Sequence, residues 1–162
     1  MRAETKTLRY LKKTPGYKLT SHDGGIVAQH HYTGHTHSIV YFLQSAANLR
    51  CRAYCQELGG NLTRAKAYKT VIVGIAPDAV PDLARAHTEL SLPFPLLSDS
   101  GSVVADRYGL VSGGLFKPRR VTPAVVVHDK YGILYFLAVA ETGDERPAWE
   151  EIEAVLQRFP HG

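Results

Sequence analysis

The sequence predicts an α/β fold in which a mixed central sheet carries helices on both faces. Three observations lead to this prediction: buried-strand patterns alternate with helical segments, a β-hairpin pattern follows them, and an amphipathic helix comes last. Apolar runs without polar alternation are typical of central strands covered on both sides. The chain has 162 residues, enough for one substantial core, so we expect a single domain over residues 1–162.

The individual elements follow from their residue patterns in chain order. Gly24-Gly25 separates two short segments that suit a hairpin, and Ser38–Leu43 is apolar and rich in β-branched and aromatic residues. A helix is expected from about Arg50, and Gly59-Gly60 should end or kink it. The later predictions are a strand at 71–75, a helix at 82–90, a short strand at 96–97, a short helix at 103–108, and a hairpin of strands 124–127 and 133–139.

An amphipathic helix is predicted after Pro147, which suits a first helical turn. Large apolar side chains recur at helical spacing from there, at Trp149, Ile152, Leu156 and Phe159. We interpret this stripe as core rather than as a cofactor site.

Composition and charge exclude several function classes. The net charge is +4 and the apolar fraction is 44%, which is ordinary for a globular protein. No apolar run approaches the length of about 18 residues that spans a bilayer, and the N-terminus has no hydrophobic signal region. We therefore expect a cytoplasmic protein without a membrane or nucleic-acid partner. The densest basic group, Lys117-Pro-Arg-Arg120, is interpreted as solvated surface.

The only two cysteines, Cys51 and Cys55, lie just after the predicted central strand. A thiol in the first turn of a helix faces free backbone N–H groups, and the neighbouring Arg50 and Arg52 add positive charge, so we expect Cys51 to favour its reactive thiolate form. Positions i and i+4 share a helix face with Cβ atoms about 5–6 Å apart, whereas a disulfide needs about 3.5–4.5 Å. A bond between the two therefore requires one helical turn to loosen.

Several segments resemble the peroxiredoxins of the AhpC/TSA type, over roughly residues 14–157. Leu92–Asp99 (LPFPLLSD) with Val103–Leu110 (VVADRYGL), and Ala124–Gly132 (AVVVHDKYG), are similar to family motifs, and the strand ending at Phe42 aligns with the strand before the family's peroxidatic cysteine. Thr122-Pro123 before the hairpin resembles the cis-proline turn of the thioredoxin fold. The resemblance implies a thioredoxin-like three-layer sandwich.

The resemblance also implies an activity, a thiol peroxidase that needs no cofactor or metal. It places Cys51 at the peroxidatic position, where a hydroperoxide would oxidise it to a sulfenic acid. Cys55, or an external reductant such as a thioredoxin-like protein, would resolve that sulfenic acid. Thr122 and Pro123 would line the substrate pocket, and Pro123 would keep metal from the thiolate. Because many relatives pair, the resemblance also implies a possible homodimer, although no feature of the sequence fixes it.

The chain departs from the family motif at four positions. Gln44 and Asn48 stand where the family has Pro and Thr, Tyr54 stands in place of a Glu, and Pro123 in place of an Arg. We expect the Asn48 amide to take over the hydrogen bond of the missing Thr. We expect Arg119 or Arg120 to supply the missing positive charge.

Alternative functions use the same residues. A thiol–disulfide oxidoreductase would need only the two cysteines and the proline, and a redox-inactive scaffold would bind a partner without chemistry. The C-x-x-x-C spacing also resembles that of Sco-type copper proteins, although residues 115–123 contain no His to complete such a site. The segment His30–His37 has four His residues that suit zinc or nickel, but a solvated polar turn is the favoured interpretation.

Overall fold

The computed structural model describes residue 1 and residues 3–159. Its centre is a seven-stranded mixed sheet in the order β2-β1-β5-β4-β3-β8-β9, and a separate two-stranded ribbon pairs β6 with β7. The strands are β1 (Lys18–Ser21), β2 (Ile26–Ala28), β3 (His37–Phe42), β4 (Thr70–Ala76), β5 (Leu96–Ser98), β6 (Val111–Ser112), β7 (Arg120–Val121), β8 (Ala124–His128) and β9 (Leu134–Val139).

Strand β3 lies in the middle of the sheet, and all six of its residues are buried. It pairs in parallel with β4 and antiparallel with β8. Because β8 is in turn antiparallel to β9, strands β3 and β9 run in the same direction. The loops that follow β3 and β9 therefore leave the sheet at the same edge, and this edge carries the candidate site.

Helices cover both faces of the sheet, as predicted. The helices are α1 (Leu49–Gly60), α2 (Leu62–Ala67), α3 (Val80–Leu90), α4 (Val103–Arg107) and α5 (Trp149–Leu156), with short 3-10 turns at Gln29–His31 and Ser100–Ser102. One core cluster joins Ile39 and Tyr41 of β3 to α1, α3 and α5, and a second joins Val40 and Phe42 to α4. Successive residues of β3 therefore pack into two different core clusters, one on each face of the sheet.

The predicted elements are confirmed, with small shifts at their ends. Helix α1 ends at Gly60, where the sequence placed a break, but a further helix, α2, follows at once. The ribbon of β6 and β7 was also missed, because two-residue strands have no periodic pattern. Pro147 lies just before Ala148, the N-cap of α5, rather than inside its first turn. No helix in the described part of the chain has both the length and the apolar character to cross a bilayer.

Candidate active site

Cys51 is the third residue of α1, immediately after the loop that leaves the central strand. The Oδ1 atom of Asn48, the N-cap residue, accepts a hydrogen bond of 2.9 Å from the Cys51 backbone N–H. The carboxylate of Asp78 fixes the preceding loop by accepting bonds of 3.0 Å from the Ser45 hydroxyl and from the Ala46 N–H. The sulfur is therefore held in the first turn of a capped helix, as the sequence predicted.

A positive charge reaches the sulfur from Arg146, in the loop between β9 and α5. Its Nη2 donates to Cys51 Sγ at 3.5 Å, and its Nε donates to the Tyr41 hydroxyl at 2.8 Å. Tyr41 is a buried residue of β3, and the thiol and the phenol interact with each other as well as with the guanidinium. These three groups form a compact cluster, which we call the Cys51–Tyr41–Arg146 cluster.

The guanidinium of Arg146 is fixed by contacts on several sides. Its Nη1 donates to the carbonyl oxygens of Gly143 and Glu145, at 2.8 and 2.9 Å, and its plane lies near the Tyr41 ring, 5.7 Å from the ring centroid. Burial alone would lower the pKa of Arg146, but Tyr41 and Cys51 raise it above its ordinary value. Burial, and secondarily the neighbouring Cys51, raise the pKa of Tyr41. The cluster therefore holds a permanent cation and a neutral phenol beside the sulfur.

Tyr54, which stands where the family has Glu, supports the cluster without contacting the guanidinium by a hydrogen bond. Its ring packs edge-on against Tyr41, with centroids 5.0 Å apart, and its hydroxyl donates to the Pro147 carbonyl at 2.7 Å. Burial raises the pKa of Tyr54 well above the ordinary value, so it stays protonated. Tyr54 thus fastens α1 to the start of α5.

Cys55 lies one helical turn after Cys51 and is also completely buried. Burial, with a smaller contribution from Cys51, raises the pKa of Cys55 to about 12. Both cysteines are free thiols, and α1 is regular over both positions. In this conformation Cys55 is a protonated thiol in the apolar core.

For the four other predicted site residues, Arg119, Arg120, Thr122 and Pro123, the structure gives no hydrogen bond to the sulfur. Thr122 and Pro123 line a cavity of about 250 Å³ together with Gln44, Arg120 and Gly143. Arg119 is exposed and lies 3.7 Å from the Asp106 carboxylate. The structure thus brings Arg146 to the sulfur, where the sequence had suggested Arg119 or Arg120.

Asn48 and the two arginines beside Cys51 also make contacts other than those expected. The Asn48 amide donates to Gln44 Oε1 at 3.2 Å, so its oxygen caps the helix and its nitrogen supports the loop. Arg50 donates to the Asp144 carbonyl, and Arg52 donates to the Ala46 carbonyl and the Glu89 carboxylate. The hydrogen bonds of these side chains thus go to neighbouring loops and to α3.

The prediction of a cis-proline is wrong: the Thr122–Pro123 peptide bond is trans, and no bond among the described residues is cis. A trans bond is the lower-energy state for an X–Pro sequence, by about 0.5–1 kcal/mol. The Pro123 carbonyl accepts a hydrogen bond of 2.9 Å from the Ala140 N–H. This bond continues the pairing of β8 with β9 by one residue beyond Ala124 and Val139.

The histidine-rich segment does not gather its side chains in one place. His30, His31 and His35 are exposed, whereas His37 is buried in β3, where its Nδ1 accepts from the Lys130 N–H at 2.9 Å. Over the residues that the structure describes, no three His, Cys, Asp or Glu side chains are grouped to hold a metal ion.

Arg146 and Tyr41 are the site residues that sequence reasoning missed. Arg146 lies 95 residues from Cys51 in the chain, and its contact depends on the path of one loop. The order of the strands does contain a signal for Arg146. Because β3 and β9 run in the same direction, the loops that follow them leave the sheet at the same edge. The sequence predicts Tyr41 only as part of a buried strand, and no local pattern indicates its hydroxyl contact.

The comparison with protein families gives one match, to the AhpC/TSA family, over residues 11–137. This range contains β1–β8, most of β9 and both cysteines. It ends before Arg146, so the residue that contacts the sulfur lies outside the matched part. No curated protein matches the chain at a significant level.

Solved structures with the same fold include several peroxidases. Peroxidoxin BcpB from Mycobacterium tuberculosis superposes with a TM-score of 0.84 at 19% identity, covering 95% of this chain and 99% of that one. A thiol peroxidase from Chromobacterium violaceum gives 0.79 at 19% identity, with 96% and 90% covered. Peroxiredoxin Q from Xanthomonas campestris gives 0.76 at 14% identity, with 87% and 89% covered. At these identities the likeness establishes the shared thioredoxin-like fold.

Proposed function

Because the chain belongs to the AhpC/TSA family of thiol-dependent peroxidases, we propose that Cys51 is the residue that reduces hydroperoxides and that Arg146 and Tyr41 organise the reacting atoms. The observation that carries this proposal is the 3.5 Å contact between Arg146 Nη2 and Cys51 Sγ. A guanidinium that donates to a sulfur at a helix N-terminus is placed to stabilise negative charge at the reacting atoms.

The proposed first step is attack of the Cys51 thiolate on the terminal oxygen of a hydroperoxide. The S–O bond forms as the O–O bond breaks, so the sulfur is oxidised to a sulfenic acid and the peroxide is reduced to an alcohol after its leaving oxygen takes up a proton. Arg146 stabilises the negative charge that moves from sulfur to the leaving oxygen. The Tyr41 hydroxyl accepts from Arg146, which leaves its own proton free to donate toward the sulfur or the leaving oxygen.

Access to the sulfur requires an opening movement, because Cys51 has 0% of its surface exposed. The 250 Å³ cavity lined by Thr122 and Pro123 also includes Glu141, Thr142 and Gly143, and Arg146 follows in the same loop. This loop therefore joins the cavity lining to the guanidinium that contacts Sγ. We assign it the role of a gate, and we assign Thr122 and Pro123 the role of lining the entry route.

The second step needs another thiol, and the local chemistry favours an external one. Cys55 is buried, its pKa is raised to about 12, and its position in a regular helix keeps it beyond disulfide distance. An external dithiol, such as that of a thioredoxin-like reductant, would attack the sulfenic acid and release water, and its second thiol would then break the mixed disulfide. Resolution by Cys55 would require the first turns of α1 to unwind.

The test mixes the reduced protein with a stoichiometric hydroperoxide and follows mass, free thiols and peroxide. A gain of one oxygen at Cys51 is expected, and Cys55 should still titrate as a thiol when the sulfenic acid is trapped with dimedone before the chain is unfolded. Cys51→Ser should abolish peroxide consumption, and Cys55→Ser should leave the first turnover intact. Loss of two hydrogens and of both thiols would instead establish Cys55 as the resolving residue. Undiminished consumption by Cys51→Ser would overturn the proposal.

One observation favours a second candidate function, a redox-inactive scaffold. The complete burial of Cys51 would suit a thiol that has become part of the core. The same experiment separates the two, since a scaffold would show no change in mass or thiol content even after long exposure to peroxide.

A further inference from the structure

The ribbon of β6 and β7 ends in an exposed tip that combines apolar and basic side chains. Leu115 and Phe116 are 92% and 94% exposed, the highest values among the large apolar residues that the structure describes. Lys117, Arg119 and Arg120 follow them, and every residue from Ser112 to Arg120 is exposed. We call residues 113–120 the ribbon tip.

The ribbon tip is a built feature of the fold and not a loose segment. Val121 is buried at its base, where the Thr122 N–H donates to the Leu110 carbonyl at 2.7 Å. Within the tip, Gly114 N–H donates to the Lys117 carbonyl at 2.8 Å. Gly113 has a φ of +91°, and a Cβ there would overlap the Pro118 carbonyl oxygen, so only glycine fits at this position. The fold therefore holds Leu115 and Phe116 away from its core.

The shape and charge of the ribbon tip suit an anionic lipid surface. Two protruding apolar side chains next to three cations are the arrangement that enters the headgroup region while the cations remain among lipid phosphates. A rigid protein partner would need a buried interface of about 1,000 Å² or more, which a narrow tip cannot supply alone. Asp106 is the acidic side chain paired with the tip, and its 3.7 Å contact with Arg119 is between exposed groups and therefore weak.

The ribbon tip is joined to the entrance of the candidate site. Arg120 and Ser112 line the same cavity as Gln44, Thr122 and Gly143. Leu49, in the first turn of α1 beside Cys51, is itself 81% exposed. A lipid surface that receives the tip would therefore meet the cavity mouth.

We propose that the ribbon tip binds the surface of anionic membranes and presents the cavity to phospholipid hydroperoxides. The second half of this proposal rests on the proposed peroxidase function. It revises the expectation of no membrane partner, which considered only segments able to span a bilayer. The contact is peripheral, since Leu115 and Phe116 supply the apolar part and Lys117 with the two arginines supplies the electrostatic part.

The binding test measures co-sedimentation of the full chain with phosphatidylcholine vesicles that contain or lack phosphatidylserine. We expect binding only to the anionic vesicles, and a loss of about tenfold or more in partition for Leu115→Ser/Phe116→Ser. Lys117→Glu should weaken binding more at low salt than at high salt. The matched control is Tyr10→Ser/Leu11→Ser, another exposed apolar pair, 51% exposed at each residue and followed by two lysines, which should bind like the parent chain.

Equal binding by Leu115→Ser/Phe116→Ser and the parent chain, or no binding to either vesicle, would overturn the proposal. Capture by a nucleic acid or formation of a dimer through the tip, seen instead of vesicle binding, would overturn it as well. The activity arm compares a phospholipid hydroperoxide in anionic vesicles with a water-soluble hydroperoxide. At vesicle concentrations too low to saturate binding, the tip variant should lose about tenfold in rate on the vesicles and none on the water-soluble hydroperoxide. A parent chain that binds vesicles but consumes neither peroxide would refute the peroxidase function and leave the binding intact.

Discussion

The two thiols of α1 lie one turn apart on the same helix, and both are completely buried, yet their surroundings differ. Cys51 faces the guanidinium of Arg146 at 3.5 Å and is close to the Tyr41 hydroxyl. Cys55 lies within the apolar core, and burial is the main reason that its pKa rises to about 12. The chain thus contains a thiol with a polar cluster and a neighbouring thiol without one.

This difference shows that burial alone does not decide whether a cysteine can be reactive. A buried thiolate needs a fixed cation or donor to replace the water that it has lost. Arg146 provides this at Cys51 because the loop after β9 arrives at the same sheet edge as the loop after β3. One helical turn on, Arg146 and Arg52 oppose the effect of burial on Cys55, but burial is larger and its pKa is raised.

Removing the cation tests the comparison most strongly. Arg146→Met should lower the second-order rate constant for Cys51 oxidation about 10- to 100-fold, because a charge-assisted hydrogen bond contributes about 1.5–3 kcal/mol. Rapid-mixing measurement of peroxide loss would give this value. Arg50→Met removes a nearby charge that does not contact the sulfur and should change the rate less than about threefold. Equal losses in both variants would mean that general charge, and not the contact, matters.

Removing the phenol should have a smaller effect. Tyr41→Phe deletes the acceptor of Arg146 Nε and the hydroxyl beside the sulfur, and we expect about a tenfold lower rate from the loss of one hydrogen bond to a charged group. Tyr54→Phe is the control, since its hydroxyl binds the Pro147 carbonyl in the same cluster of rings. If both variants lose rate equally, packing rather than the Tyr41 hydroxyl supports the reaction.

The buried state of Cys55 predicts a pH dependence of stability. The folded chain keeps this thiol protonated up to a pH of about 12, whereas the unfolded chain ionises it near the ordinary value of 9.0. Its contribution is therefore complete below pH 9 and is lost as the pH rises toward 12, by about 1.4 kcal/mol between pH 8 and 10. Urea unfolding at both pH values should show this extra loss in the parent chain and not in Cys55→Ala. Identical losses would show that Cys55 is not held as a buried thiol.

The helix cap should affect stability more than chemistry. Asn48→Ala removes the side chain that accepts from Cys51 N–H and should lower the free energy of unfolding by about 1 kcal/mol. Asn48→Ser keeps a capping acceptor and should therefore retain most of the stabilisation that the cap contributes. Since the Asn48 amide donates to Gln44, we expect the peroxide rate of both variants to stay within about twofold of the parent. A rate loss as large as that of Arg146→Met would restore Asn48 as a residue that polarises the peroxide.

Local patterns in the sequence determined the fold class, the order of the main elements and the place of Cys51. Apolar runs such as Ser38–Leu43 and the helical spacing of Trp149 and Ile152 encode burial directly, because each depends on neighbours within one element. The motifs at Leu92–Asp99 and Ala124–Gly132 carried the family resemblance, and the family match confirms it. Elements as short as β6 and β7 have too few residues to show a periodic pattern, so the sequence did not predict them.

Only the tertiary structure decided which side chains surround the sulfur. Arg119, Arg120 and Arg146 are equivalent as residue types, and their contacts with Asp106, the cavity and Cys51 follow from loop paths that no local pattern describes. The trans bond before Pro123 and the complete burial of Cys51 likewise depend on how separate elements pack. A contact across 95 residues is set by the geometry of the whole sheet edge, because a few ångströms in one loop decide whether a guanidinium reaches a thiol.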